Sequence, residues 1–345
     1  MTVVAASIYP TRAAATRLRL NPVLEELTRR GIDSRLWSFL ADDDLSQWLR
    51  GGASRLGPAS TGFRRLPSGL RSANKCDVMI LQRETLPINL LLMERLLVTR
   101  HRPFIWDVDD ALWTSSGLGA SIRGTPAKYE WLARHASEVW AGSRHVAEWA
   151  LTAGAKEVRW VPTTVPVPPQ VDDAAREADL LCWIGTPSTG PYIERLLHEV
   201  REVLGNWRVL VVGARINAPA GVAVTQHGWS PEAESLALRR AGVGLYPLDT
   251  SQPTTSGKSA LKSVLFMAHG IPVVATPTAS NLAVMSHGRE GFFANGPEDW
   301  REFLEILHDS GVQREMGRLG HRQAAENFDS LRWAFELSDR VGRLL

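Results

Sequence analysis

The sequence predicts a two-domain α/β protein with a parallel sheet in each domain. Three observations carry that prediction. Short apolar runs alternate with longer amphipathic ones along most of the chain. Four prolines within eight residues interrupt the alternation near the middle, from Pro162 to Pro169. And 345 residues exceed one ordinary hydrophobic core, domains of about 150 to 170 residues being the more comfortable size.

In the first half, Val3–Ile8 reads as a buried strand, Ala14–Arg30 as a helix and Ser34–Leu40 as a second strand. Asp77–Leu81 is a third strand, Leu86–Arg100 a helix and Pro103–Val108 a fourth strand. A helix over Ala127–Ala136, strand Glu138–Ala141, helix Arg144–Thr152 and strand Val158–Val161 complete this half. Four prolines cannot enter a helix or central strand, so residues 166–178 are expected to be a stiff, extended linker after a first domain of 1–165.

The alternation then restarts. Strands are expected at Leu180–Ile184, Arg208–Val212, Val222–Gln226, Val243–Tyr246 and Pro272–Ala275. Helices are expected at Tyr192–Leu204, Glu232–Arg240, Lys258–His269, Glu298–Asp309 and Val312–Phe328, closing a domain of 179–328, with a terminal helix from about Ser330 within 329–345. Two successive βαβ halves suggest Rossmann-like domains facing a central cleft, with ligands beyond the carboxyl ends of the strands.

Composition narrows the function. With 44% hydrophobic and 22% charged residues the chain is neither disordered nor fibrous. Its 39 basic and 37 acidic residues leave a net charge of +2, which argues against nucleic acid as a partner held by overall charge. Cys76 and Cys182 lie far apart and make neither a disulfide framework nor a metal site, and the nine histidines show no metal-binding spacing. Met1–Tyr9 lacks the charged start and cleavage site of a signal peptide, and Ile88–Met93 is too short to span a bilayer. A reduced, cytoplasmic protein is expected.

One segment departs from the alternation. Residues 50–75 hold six basic side chains, Arg50, Arg55, Arg64, Arg65, Arg71 and Lys75, five glycines and no acid. It reads either as a solvated loop or as a patch for an anionic partner, a phosphorylated acceptor or a phospholipid surface met peripherally at the inner membrane face.

Three strand ends in the second half look prepared for an anion, because helix N-termini there offer free N–H groups. The first is Gly185-Thr186-Pro187-Ser188-Thr189-Gly190-Pro191, where Ser188 or Thr189 is expected to cap the following helix. The second is Thr254–Lys262, which places Lys258 in the first turn of a helix and Lys262 four residues on. A cation there opposes the helix dipole by about 0.3–1 kcal/mol, and a like-charge pair at that spacing is also unfavourable. Two of only five lysines in the chain thus occupy positions that a bound diphosphate would favour. The third is Pro277–Asn281, read as a capped loop. In the first half, Asp107, Asp109 and Asp110 crowd the end of a strand, where they can bind a cation, act as a base or stabilise positive charge. Repulsion among them predicts a raised pKa for at least one, unless a cation intervenes. Arg17 and Arg83 sit at two further strand ends.

These stretches together resemble the retaining GT-B glycosyltransferases of the group 1 family, which includes bacterial mannosyl- and glucosyltransferases. The resemblance runs from about Thr2 to Phe328 and is carried by Phe104–Trp113, Val139–Ser143, Trp183–Tyr192 and Gly257–Asn281 running on to Phe293. It implies transfer of a sugar from a UDP- or GDP-hexose type donor to a sugar, lipid-linked or small-molecule acceptor, with no metal or other cofactor. The implied donor-binding residues are Gly185, Ser188, Thr189, Asp249, Lys258, Lys262 and Asn281. The implied catalytic residues are Asp109, Asp110 and Lys258, and Arg17, Arg83 and Asp107 would meet the acceptor. The family's two acidic residues in the helix after Gly257 are here Gly257 and Leu265. Three other readings stay open: a transferase using Asp107-Val108-Asp109 as a metal-binding motif, a nucleotide-sugar epimerase, and a non-catalytic nucleotide-sugar-binding subunit.

Overall fold

The computed structural model describes residues 1–50, 52–87, 91–98, 102–114, 126–252, 255 and 258–345. They form two compact units. The first comprises Met1–Thr164, Gly257–Ser259 and Ser330–Leu345, and the second Val165–Ser256 and Ala260–Asp329.

In the first unit six parallel strands line up in the order β2-β1-β3-β4-β5-β6: β1 Thr2–Ser7, β2 Asp33–Ser38, β3 Val78–Gln82, β4 Phe104–Val108, β5 Glu138–Ala141 and β6 Val158–Trp160. Strands β3, β4 and β5 are buried end to end, as parallel strands covered on both faces must be. Alternate residues of β1 feed two cores. Val4 and Ala6 join Trp37, Phe39, Leu132 and Val146 on one face, while Val3 and Ala5 join Leu20, Leu27, Leu337 and Val341 on the other. The second of these faces is covered by α1 (Asn21–Arg29) and by the terminal helix, Ser330–Gly342. The expected single helix from Ala14 is not uniform: Thr16–Leu20 forms a π-helical turn ahead of α1.

The glycine-rich segment is no loop. After α2 (Leu45–Arg50), residues Leu56–Ala73 form an 18-residue helix, α3. Its buried positions are Pro58, Gly62, Gly69 and Ala73, one small-residue stripe at helical spacing. A Cβ at Gly62 would run into the Phe39 ring and one at Gly69 into the Trp37 indole. The glycines therefore let a helix lie close on the end of β2, whereas composition alone suggested a breaker. The helix expected over Leu86–Arg100 is seen as α4, Leu91–Leu97; residues 88–90 and 99–100 of that expectation lie outside the described residues. Helices α5 (Pro126–His135) and α6 (Arg144–Thr152) flank β5, and Ser143 caps α6 through the Val146 N–H.

The second unit repeats the plan with six parallel strands ordered β12-β11-β10-β7-β8-β9. They are β7 Glu177–Ile184, β8 Arg208–Val212, β9 Ala223–His227, β10 Ala241–Tyr246, β11 Val273–Ala275 and β12 Gly291–Phe293. Read from β9 this is the 3-2-1-4-5-6 order of a dinucleotide-type fold, with its reversal between β7 and β10. The helices are α7 Gly190–Glu199, α8 Pro231–Arg240, α9 Leu261–Ala268, α10 Ala279–Val284, α11 Pro297–Ile306 and α12 Ser310–Asn327; the terminal helix is α13. The proline run is buried over its first half and open over its second: Thr163, Thr164 and Val165 are covered, Pro166 and Pro169 are exposed, and the Val165 N–H donates to the Phe328 carbonyl. Both cysteines are buried and free. Among the described residues no helix is long and apolar enough to cross a membrane.

Candidate active site

In the first unit the chain reverses strand order between β1 and β3, and the carboxyl ends there carry the polar groups. Arg83 follows β3 directly. Its φ of 56° puts it in the left-handed region, alone among described non-glycine residues. Such a backbone costs about 1–2 kcal/mol and persists only where neighbours hold it. Here the Arg83 N–H donates to the Asp107 carbonyl at 2.7 Å, and the buried Trp106 indole donates to the Arg83 carbonyl at 2.8 Å. The strained residue aims its guanidinium at two carboxylates, 3.3 Å from Asp109 and 3.1 Å from Asp110.

Asp109 is buried and pinned by close backbone packing: a Cβ at Gly142 would collide with its main chain. Asp110 is half-buried and accepts from the backbone N–H of Ser259 at 3.3 Å. Burial, then the neighbouring Asp109, hold the Asp110 carboxyl above its ordinary range, against the pull of Arg83, Lys258 and the Ser259 N–H. Burial also works against the Arg83 charge, but Asp109 and Asp110 outweigh it and hold that guanidinium firmly protonated. The expected raised carboxyl is thus Asp110.

Lys258 is not in a helix. Helix α9 begins at Leu261, and Lys258 and Ser259 precede it as irregular chain gathered with the first unit beside Asp110. The dipole and i, i+4 arguments therefore do not apply to Lys258. Lys262 lies in the first turn of α9, close enough to Cys182 to affect it electrostatically. Gly257, the first position of the family's acidic pair, is outside the described residues, and Leu265 is core.

Asp107 is committed inside the fold. Both its oxygens face the Arg19 Nε at 3.2 Å, and the Gln82 amide donates to it at 3.1 Å. Gln82 in turn accepts from Ser7 and Thr16, while Arg19 also donates to the Val161 carbonyl. With 1% of Asp107 exposed, the acceptor contact expected of it is replaced by a buried ion pair that ties the π-helical turn to β4. Arg17 lies half-buried on the same turn.

In the second unit the loop after β7 lies at the reversal point. Gly185 is required there, because a Cβ would strike the Trp183 ring and the Thr189 hydroxyl. Thr189 occupies the N-cap position of α7 without bonding the helix N–H groups; its hydroxyl bonds to Thr186 instead. Ser188 pairs with the Thr186 hydroxyl at 2.9 Å. Beyond β10, Asp249 accepts from Ser251 and lies 3.3 Å from Arg195 of α7, so the two switch-point loops are joined. The Ser251 hydroxyl and N–H, more than Arg195, hold the Asp249 carboxyl below its ordinary range.

Asn281 is different. The expected capped loop is helix α10, and Asn281 is fully buried with its amide donating to the Thr276 carbonyl and accepting from Ser263. Its side chain braces two strand-end segments from a fully buried position. The site residues that sequence reasoning missed are Arg19, Gln82 and Ser259. Arg19 and Gln82 each donate to Asp107, over 88 and 25 positions, a separation that leaves no local signal.

Residues 178–309 match the family model for glycosyl transferases group 1. The matched segment covers most of the second unit and only Gly257–Ser259 of the first. No curated protein sequence matches the chain. Among solved structures, sucrose-phosphate synthase from Thermosynechococcus elongatus matches this chain with a TM-score of 0.72 at 13% identity, over 100% of this chain and 99% of that one. Anabaena HepE in complex with UDP-glucose gives 0.66 at 14% identity, over 99% and 100%. A glycosyltransferase from Rickettsia africae gives 0.65 at 11%, over 99% and 98%. At such identities the likeness speaks for the fold, which is the GT-B architecture of two Rossmann-like units.

Proposed function

We propose that this glycosyltransferase moves a hexose from a UDP- or GDP-hexose donor to a hydroxyl acceptor, with retention at the anomeric carbon and without a metal. The observation that carries the reading is the second unit's switch point. Gly185–Thr189 after β7 and Asp249 after β10 stand there, inside the segment that matches the family. The donor specificity is supported by relatives such as HepE, which was solved with UDP-glucose. In this reading residues 179–328 hold the donor and residues 1–165 the acceptor.

Each residue type has a job in that chemistry. The bond from the anomeric carbon to the diphosphate oxygen breaks, and negative charge grows on the leaving group. Lys258, Lys262 and the backbone around Ser188 and Thr189 offset it. The acceptor oxygen bonds to the same face of the sugar, and its proton passes to the departing phosphate oxygen. Asp109 and Asp110 orient the acceptor hydroxyl and face the positive charge that develops on the sugar, with Arg83 beside them, and Arg17 is assigned to the acceptor as well. Asp107 serves this group through the backbone it anchors.

A thermal-shift series with UDP-, GDP-, dTDP- and ADP-sugars, with and without chelator, tests the proposal. A donor at 100 times its Kd stabilises the fold by about 2.7 kcal/mol. The expected result is a shift with UDP or GDP sugars that chelator leaves intact. A shift abolished by chelator favours the rival in which Asp107 and Asp109 hold a metal. Binding without turnover of any acceptor favours the non-catalytic subunit, and free epimerised product favours the epimerase.

A further inference from the structure

We propose that α3 is a docking surface for an anionic phospholipid membrane. The helix turns two opposite faces to its surroundings. Pro58, Gly62, Gly69 and Ala73 face inward, and Leu56, Ser60, Phe63, Arg64, Pro67 and Arg71 face out. Asn74 and Lys75 extend the outer face beyond the helix end. No Asp or Glu occurs from Leu45 to Cys76. Among the described residues, Arg64, Arg65, Arg71 and Lys75 form no ion pair with a carboxylate. The helix is about 27 Å long, and its cations from Arg64 to Lys75 occupy about 16 Å of that length and its end.

The partner's chemistry is read from what accompanies the charge. Leu56 is 74% exposed and Phe63 40% exposed on the same face, and Leu49 of the preceding α2 is 45% exposed. A surface that offers negative headgroups above an apolar layer satisfies both sets, the basic side chains at the phosphates and the apolar ones just below. A nucleic acid or phosphoprotein satisfies only the charges. A second copy of the chain would oppose this face with the same positive charges. The inner stripe explains why the device is rigid: small residues seat the helix against Trp37 and Phe39, with Leu66 and Leu70 partly buried beside them, while Leu56, Arg64 and Arg71 stay outside. The inference stands independently of the reaction the molecule performs.

The experiment is co-sedimentation of the full chain with phosphatidylcholine vesicles, with and without phosphatidylglycerol, across a salt series. The wild type is expected in the pellet only with phosphatidylglycerol, released as salt rises. The variant Arg64→Glu/Arg71→Glu/Lys75→Glu is expected to bind on the order of a hundredfold more weakly, about fivefold per basic residue near the surface. Leu56→Ser, at a side chain free of packing, is expected to weaken partition about tenfold while leaving affinity for a single-stranded oligonucleotide unchanged. Circular dichroism and Tm establish that each variant is folded. The proposal is overturned if the wild type ignores anionic vesicles or if the triple variant binds them as well as the wild type. It is also overturned if the oligonucleotide binds more tightly than the vesicles with Leu56→Ser altering neither.

Discussion

Arg83 allows backbone strain and side-chain charge to be separated in one substitution. Arg83→Gly removes the left-handed penalty at φ 56° and removes the guanidinium from Asp109 and Asp110 together. Relief of the strain stabilises by about 1 kcal/mol. Leaving two carboxylates without their arginine costs about 3 kcal/mol while both are ionised, the low end of a broken buried pair because the side chains retain 10–28% exposure. The variant is therefore expected to be about 2 kcal/mol less stable near pH 7. The balance changes on acidification. Asp110 has its folded pKa raised by burial and by Asp109, so its ionisation removes stability as pH rises through that folded value and costs nothing below the unfolded one. Taking away Arg83, which opposes the rise, deepens that loss. As Asp110 protonates, the deficit of the variant shrinks, and strain relief offsets what remains. Urea denaturation of both proteins from about pH 8 to about pH 4 measures the difference, with groups common to both cancelling. A deficit of the same size across the series would refute the reasoning, because charge would then not be its source.

Lys258→Ala is expected to lower kcat/KM by about 10²–10³-fold, and unchanged kcat/KM would defeat its role at the leaving group. Asn281→Ala is expected to lower stability by about 2–3 kcal/mol, since it orphans the Thr276 carbonyl and the Ser263 hydroxyl; a loss of donor affinity with unchanged Tm would restore the direct contact first expected of it. Gly185→Ala forces a methyl onto Trp183 and Thr189, and both Tm and the nucleotide-induced shift should fall. Gly62→Val drives a side chain into the Phe39 ring, with a cost of about 1–3 kcal/mol seen in chemical denaturation without loss of donor binding.

The strands that hydrophobic runs marked, such as Val78–Gln82 and Phe104–Val108, formed as expected because burial on both faces requires continuous apolar sequence. Strand Gly291–Phe293 escaped notice because three residues carry no periodicity. The helix Leu56–Ala73 was hidden by its own packing device: glycine at 62 and 69 lowers helix propensity, yet only glycine lets that face reach Phe39 and Trp37. At the site, the crowding of Asp109 and Asp110 was legible from three neighbouring letters. The left-handed turn at Arg83 and the Arg19–Asp107 pair were not, since each depends on groups brought together only by the sheet. Lys258 was misplaced by one helical turn, and the bracing bonds of Asn281 were not legible because Ser263 lies 18 positions away in sequence.

The return of Ser330–Leu345 to the first unit bears on how the chain matures. Leu337 and Val341 fill the same core as Val3, Leu20 and Leu27, and Arg30 bonds Asp339. On the ribosome, that core remains open until residues 330–345 emerge, long after its sheet has been translated. The second unit, bounded by Val165 and Asp329, has all its strands available earlier. The second unit can thus be complete while the first is not: a chain whose residues up to 329 have cleared the ribosome, but whose 330–345 have not, still has Leu20 and Leu27 bare.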